Sequence, residues 1–114
     1  MRVRAAIDMA NKMKHNQFPD EILTRWLNEC EGRIQVEVHQ IAPDQVLRYD
    51  IPGDDETEML VPFPYDRLYW QWLVAMIDFA HGEYSSYQNS MQAVNQAIKE
   101  YHAWYMRNRH TCTQ

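Results

Sequence analysis

The residues of this 114-residue chain with chemistry to offer are five histidines, two cysteines and an acidic run in the middle. His15, His39, His81, His102 and His110 are scattered, with no H-E-x-x-H or related ligand spacing. His102 reads as a satisfied, partly buried imidazole rather than a ligand. Cys30 and Cys112 lack any C-x-x-C or Cys/His pattern. Cys30 falls on an apolar helix face and reads as a buried free thiol; Cys112, in a polar tail, is expected to be exposed. Asp54, Asp55, Glu56 and Glu58 gather the oxygen ligands a hard cation takes. Without the D-x-D-x-D-G loop they read as a solvated acidic turn. No G-x-S-x-G elbow, glycine-rich phosphate loop or dinucleotide fingerprint occurs, and three glycines could hardly build one. The expectation is a protein that is not an enzyme, with no catalytic residue, cofactor or metal.

The elements that must position these groups are helical. Tyr84, Tyr87, Met91, Val94, Ile98, Tyr101 and Tyr105 follow at alternating steps of three and four, which puts them on one stripe of a helix. A helix from Tyr84 to Asn108 would be roughly 37 Å long. Tyr69, Trp72, Leu73, Met76, Ile77 and Ala80 form a second apolar face that stops just before Gly82, so the pair reads as an antiparallel hairpin of helices. Upstream, Val3, Ala6, Ile7, Ala10 and Met13 share a face of a helix spanning about Arg2 to Lys14. Pro19, Asp20 and Glu21 start another that buries Leu23, Trp26, Leu27, Cys30 and Ile34. Residues 34–39 alternate like a strand while also continuing the helical stripe; helix to about His39 is favoured.

From Ala42 to Pro62 the period changes. Val46 to Ile51 and Thr57 to Val61 are short extended runs on either side of Pro52-Gly53-Asp54-Asp55, a β-hairpin or long-loop signature. The fold class is therefore mainly α: a single domain over 1–114, four helices, with the hairpin or long loop at about 42–62 between the second and third.

Composition limits the partners. A 46% hydrophobic fraction with few glycines argues for a folded chain. No apolar run is long enough for a membrane span and no signal peptide is readable, so an intracellular protein without a membrane partner is expected. The net charge is −5 and uneven: residues 1–19 carry +3, residues 20–58 carry −8 and the rest balance. That is no basic footprint for DNA or RNA. Tyr65, Trp70, Tyr101, Trp104 and Tyr105 spread beyond a single stripe, and such a surplus of aromatic surface points to self-association or partner docking. The candidate interface residues are Tyr65, Trp70, Trp104 and Tyr105.

Several strings then fall into a pattern: L-V-P-F-P-Y-D-R-L-Y at 60–69, M-I-D-F-A-H-G-E-Y at 76–84, Y-Q-N-S-M at 87–91, E-Y-x-x-W-Y at 100–105 and R-W-L-N-E-C-E-G-R-I at 25–34. Together they resemble a family of small tailed-phage and prophage proteins encoded beside portal and capsid genes in phages of Gram-positive bacteria. That family is similar to the head–tail connector (adaptor) proteins of long-tailed bacteriophages. The resemblance implies a mostly helical structural subunit, part of a homo-oligomeric ring of about a dozen copies beneath the portal. The ring would join capsid to tail while letting DNA pass. Its implied partners are the portal protein and neighbouring head–tail joining proteins. Its implied place is the virion, at the head–tail junction, after assembly in the bacterial host cytoplasm.

The aromatic surplus would serve the lateral faces of such a ring. Asp54, Asp55, Glu56 and Glu58 would form an acidic loop that repels DNA from the channel wall. The 42–62 hairpin would bridge to an adjacent subunit, and Arg107 and Arg109 would contact the portal. Two alternatives stay open: a head-completion or tail-proximal protein of the same design, and a small DNA-binding regulator using the first two helices as a helix-turn-helix. The acidic start of the second helix disfavours the regulator.

Overall fold

The computed structural model describes residues 1–112, with side chains as far as Asn108. Helices form over Val3–Met13 (α1), Asp20–Glu37 (α2), Leu68–Ala80 (α3) and Tyr84–Cys112 (α4), with short 3-10 turns at Pro43–Gln45 and Tyr65–Arg67. The mainly α expectation holds, and so do the start of α2 behind Pro19 and the break at Gly82. Residues 34–37 are helical, and the chain leaves α2 through Val38, with Gln40 taking a left-handed φ of 58°.

Apolar α3 is the central element. Leu68, Tyr69, Trp72, Leu73, Ala75 and Ile77 are all buried, so most of its circumference is enclosed, as its sequence demands. α4 lies antiparallel to it and buries Val94, Ala97, Ile98 and Tyr101, the middle of the predicted stripe. The stripe frays at its start, where Tyr84 is 58% exposed. With 29 residues, α4 is about 43 Å long and runs well past α3. α1 closes on α3 through Val3, Ala6, Ile7 and Ala10, and α2 through Leu23, Leu27, Cys30 and Ile34. Lys14, leaving α1, binds buried Asp78 of α3 at 3.1 Å and Glu83 before α4 at 2.6 Å. Phe18 packs edge-on against Trp26 and stacks on His81, holding the α1–α2 turn against the α3–α4 turn.

The β-hairpin does not form: among the described residues there is no strand, only an isolated antiparallel bridge between Arg2 and Glu58. Each extended run finds another partner. Residues 46–49 lie along α2, whose Asn28 amide accepts the Tyr49 N–H and donates to the Tyr49 carbonyl, both at 2.8 Å. The Gln35 amide does the same for Leu47 at 2.9 and 3.1 Å. Residues 55–59 pair instead with the chain start: Val3 N–H to the Thr57 carbonyl, Arg4 N–H to that of Asp55, and Met59 N–H to that of Met1. Side-chain amides on a helix and the first residues of the chain have replaced the ladder that the two runs would have made with each other.

Candidate interaction surfaces

α2 pins the long loop through a buried carboxylate. Asn28, Glu31 and Gln35 place three polar side chains on one helical face by steps of three and four. Glu31 is fully buried; its Oε1 accepts the Tyr69 hydroxyl at 2.6 Å, and its Oε2 accepts the Tyr49 hydroxyl at 2.8 Å and the Leu60 N–H at 3.0 Å. The Tyr69 hydroxyl in turn accepts the Val61 N–H at 2.9 Å. One carboxylate thus ties both ends of the loop to α2 and α3. Burial, and then the nearby Glu31 charge, push the Tyr49 and Tyr69 hydroxyls well above the ordinary tyrosine range. Burial also pushes the Cys30 thiol far up, so it stays protonated and inert, in line with the free buried thiol expected.

The acidic loop is held at home. Asp55 pairs with Arg4 at 2.7 Å, Arg4 also reaches Asp20 at 2.9 Å, Glu56 meets Arg2 at 2.9 Å, and Glu58 lies 3.1 Å from the Met1 amino group. The Arg4 hydrogen bond, with that of the Gly53 N–H, lowers the Asp55 carboxyl. Asp54 accepts the Asp50 N–H at 2.7 Å and closes the turn. Bases of the +3 segment thus offset much of the charge of the −8 segment.

The candidate interface residues do not form one surface. Tyr65, Trp104 and Tyr105 gather around Tyr101: Tyr65 stands 5.8 Å from Trp104, and Tyr101 5.8 Å from Trp104 and 6.0 Å from Tyr105, centroid to centroid. His39 joins them, 4.7 Å from the Tyr105 ring and with its Nε2 2.7 Å from the Tyr101 hydroxyl oxygen. Burial lowers the His39 pKa and raises that of Tyr101 to about 12. These rings are largely spent on one another, being buried or half-buried. Trp70 lies apart, lining a cleft of about 270 Å³ between α3 and α4 with Val74 and Ala93.

The strongly exposed apolar side chains are others: Phe63 at 85%, Tyr84 at 58%, Met13 at 57%, Leu47 at 54%, Phe79 at 51% and Met106 at 42%. Phe79, Tyr84 and Tyr87 cluster at the α3–α4 turn, with ring centroids 5.1 to 5.5 Å from Phe79. Phe63 and Met106 flank the Tyr65–Trp104 contact in sequence, at the other end of α4. Tyr84 and Tyr105 are 21 residues apart, so the two aromatic ends are separated by roughly 32 Å along one helix. Phe63 had a readable signal, since a ring between Pro62 and Pro64 belongs to no helical stripe. Arg107 stands on α4 and has an interaction within the chain. The Arg109 and Cys112 side chains lie outside the described residues.

Among the described residues no three His, Cys, Asp or Glu side chains come together as metal ligands, and no helix is long and apolar enough to cross a membrane. No family model, no curated protein and no solved structure matches the chain.

Proposed function

We propose that this chain is a structural subunit of a head–tail connector ring, joining a phage capsid to its tail below the portal. The observation that carries the reading is a pair of exposed apolar groups near the two ends of α4, whose stripe from Tyr84 to Tyr105 spans about 32 Å, and the two are unlike in composition. A closed ring uses two different faces of each subunit, one against the other, all the way round. Phe79 with Tyr84 at one end, and Phe63 with Met106 at the other, supply two such faces, and exposed apolar clusters of this kind mark protein contacts. The sequence strings at 60–69, 76–84 and 100–105, which carry the family resemblance, build these same two ends.

The acidic loop supports a narrower part in this reading than its sequence promised. Its carboxylates hold the chain start, so any repulsion of DNA comes from Asp44, Asp50 and Asp54, for which no ion pair is formed among the described residues.

Co-sedimentation with tailless, DNA-filled heads that display the portal tests the proposal. Binding at one vertex, lost on portal-free shells, is the expected result. Binding to tails instead would move the protein to a tail-proximal role, and binding to duplex DNA with steep salt dependence would favour a regulator.

A further inference from the structure

His39 stands where the chain leaves α2. Its N–H bonds to the Ile34 carbonyl, Gln40 follows with its left-handed φ, and the Ile41 N–H returns to the Gln35 carbonyl. Its ring lies on α4, with Nε2 2.7 Å from the Tyr101 hydroxyl oxygen and its centroid 4.7 Å from that of Tyr105. Tyr101 is 2% exposed, and among the described residues its hydroxyl has no other hydrogen-bond partner. A buried O–H without an acceptor is costly, so the hydroxyl donates and Nε2 accepts, which leaves the imidazole proton on Nδ1. Protonation would put a second hydrogen between the same two atoms. The hydroxyl must then turn to accept, and its own hydrogen is left without an acceptor.

We propose that the His39–Tyr101 pair is an acid-sensitive clasp. At neutral pH it holds the exit of α2 on α4; protonation of His39 opens it and loosens α2 from the cluster of Tyr101, Trp104 and Tyr105. The surroundings set the direction. Burial disfavours the imidazolium and lowers the His39 pKa, while the Glu31 charge on α2 opposes this less strongly. Glu37, two residues upstream, is taken by Arg33 at 2.9 Å, and Arg33 also reaches Asn95 of α4 at 3.2 Å. α4 presents the Tyr101 and Tyr105 hydroxyls, and Tyr65 packs against Tyr101 at 5.9 Å, with Asp66 beside it 3.4 Å from the Met1 amino group. The Tyr105 ring face steadies a cation without giving the stranded hydroxyl an acceptor. With the folded pKa below the unfolded value of about 6.5, the clasp contributes fully above that value and is lost as pH falls through the folded pKa. It does not depend on the connector reading, because the isolated chain carries both residues.

The test is NMR on the full, nitrogen-labelled chain from about pH 8 to about pH 5. His39→Gln is the control, because glutamine keeps an acceptor for the Tyr101 hydroxyl and does not titrate. In the parent, the ring nitrogens should show the proton on Nδ1, and His39 should titrate below about 6.5. Hydrogen exchange at the His39 and Ile41 amides, corrected for its intrinsic pH dependence, should quicken at least about threefold across the range, and the Trp104 indole resonance should shift with the same midpoint. In His39→Gln neither should follow. His15, His81, His102 and His110 titrate in both proteins, so the difference isolates position 39. The Lys14 amide, bonded to Ala10 near the opposite end of α4, should behave alike in both. A proton on Nε2 or a His39 midpoint at or above about 6.5, neither of which needs the variant, would overturn the proposal, as would the same acid response in His39→Gln.

Discussion

Replacing Glu31 by alanine should cost about as much as truncating a buried leucine of α2. The side chain is fully buried and accepts hydrogen bonds from the Tyr69 and Tyr49 hydroxyls and the Leu60 N–H. Alanine strands those three donors, and each buried donor left without a partner costs about 1–3 kcal/mol. The sum is reduced because a carboxylate no longer has to be kept out of water and because water can enter the space it leaves. About 4 kcal/mol is the expected loss, a large share of the roughly 5–15 kcal/mol that holds a domain of this size together. Glu31→Gln keeps the volume, and a tyrosine hydroxyl can turn to accept from the new amide, so the cost should fall to about 1–2 kcal/mol. Tyr49→Phe alone should cost about 1 kcal/mol, since the carboxylate keeps its other donors. The Glu31→Ala/Tyr49→Phe double variant should then fall short of additivity by about 1 kcal/mol or more. Urea denaturation followed by tryptophan fluorescence measures all four. If Glu31→Ala lies within about 1 kcal/mol of the parent, or if the cycle is additive, the carboxylate is not the latch described.

Two glycines should respond with opposite signs. Gly32→Ala should stabilise by up to about 1 kcal/mol, because Gly32 is inside α2 and a new Cβ meets only Val46 Cγ1 at an ordinary 3.6 Å. Gly82→Ala should destabilise by about 1–2 kcal/mol in the same urea assay, because its φ of 76° is left-handed although the space around it is open. Tyr49, Tyr69 and Tyr101 ionise later in the fold than in the unfolded chain, so their contribution is complete below about pH 10 and is lost as pH rises above it. Absorbance at alkaline pH should show these hydroxyls titrating only as the chain unfolds; free titration in the folded state would contradict the buried network. Arg4→Ala should release the 53–58 loop, read as faster hydrogen exchange at the Val3 and Arg4 amides, which are bonded to the Thr57 and Asp55 carbonyls. Unchanged exchange would mean that the backbone bonds alone hold it.

The helices were legible because each carries a periodic apolar face with clear ends. The run from Tyr84 to Tyr105 can bury only as a helix, and Pro19 and Gly82 mark boundaries through backbone geometry. The 42–62 segment was half legible. Its extended runs are real, but their pairing was not, because a strand's hydrogen bonds can be met by any aligned amides. Here Asn28 and Gln35, seven residues apart on α2, take that part. A seven-residue spacing of amides on a helix looks like ordinary surface polarity until the chain lies against it. Glu31 was hidden for a related reason: a lone glutamate reads as solvated, and its two tyrosines arrive from 18 and 38 residues away. The aromatic surplus was legible as a feature, while which rings pack on one another and which stay exposed is decided by tertiary contacts. Tyr65, Trp104 and Tyr105 sit on one another, whereas Phe79, between Asp78 and Ala80 on α3, is left exposed.

The most direct test of the connector account is electron cryomicroscopy of portal-bearing heads saturated with the protein. The account predicts a closed ring below the portal, with the Phe79–Tyr84 end of each subunit against the Phe63–Met106 end of its neighbour. Heads without added density at the portal vertex, or a ring whose neighbours meet through other faces with both aromatic ends left in solvent, would contradict it.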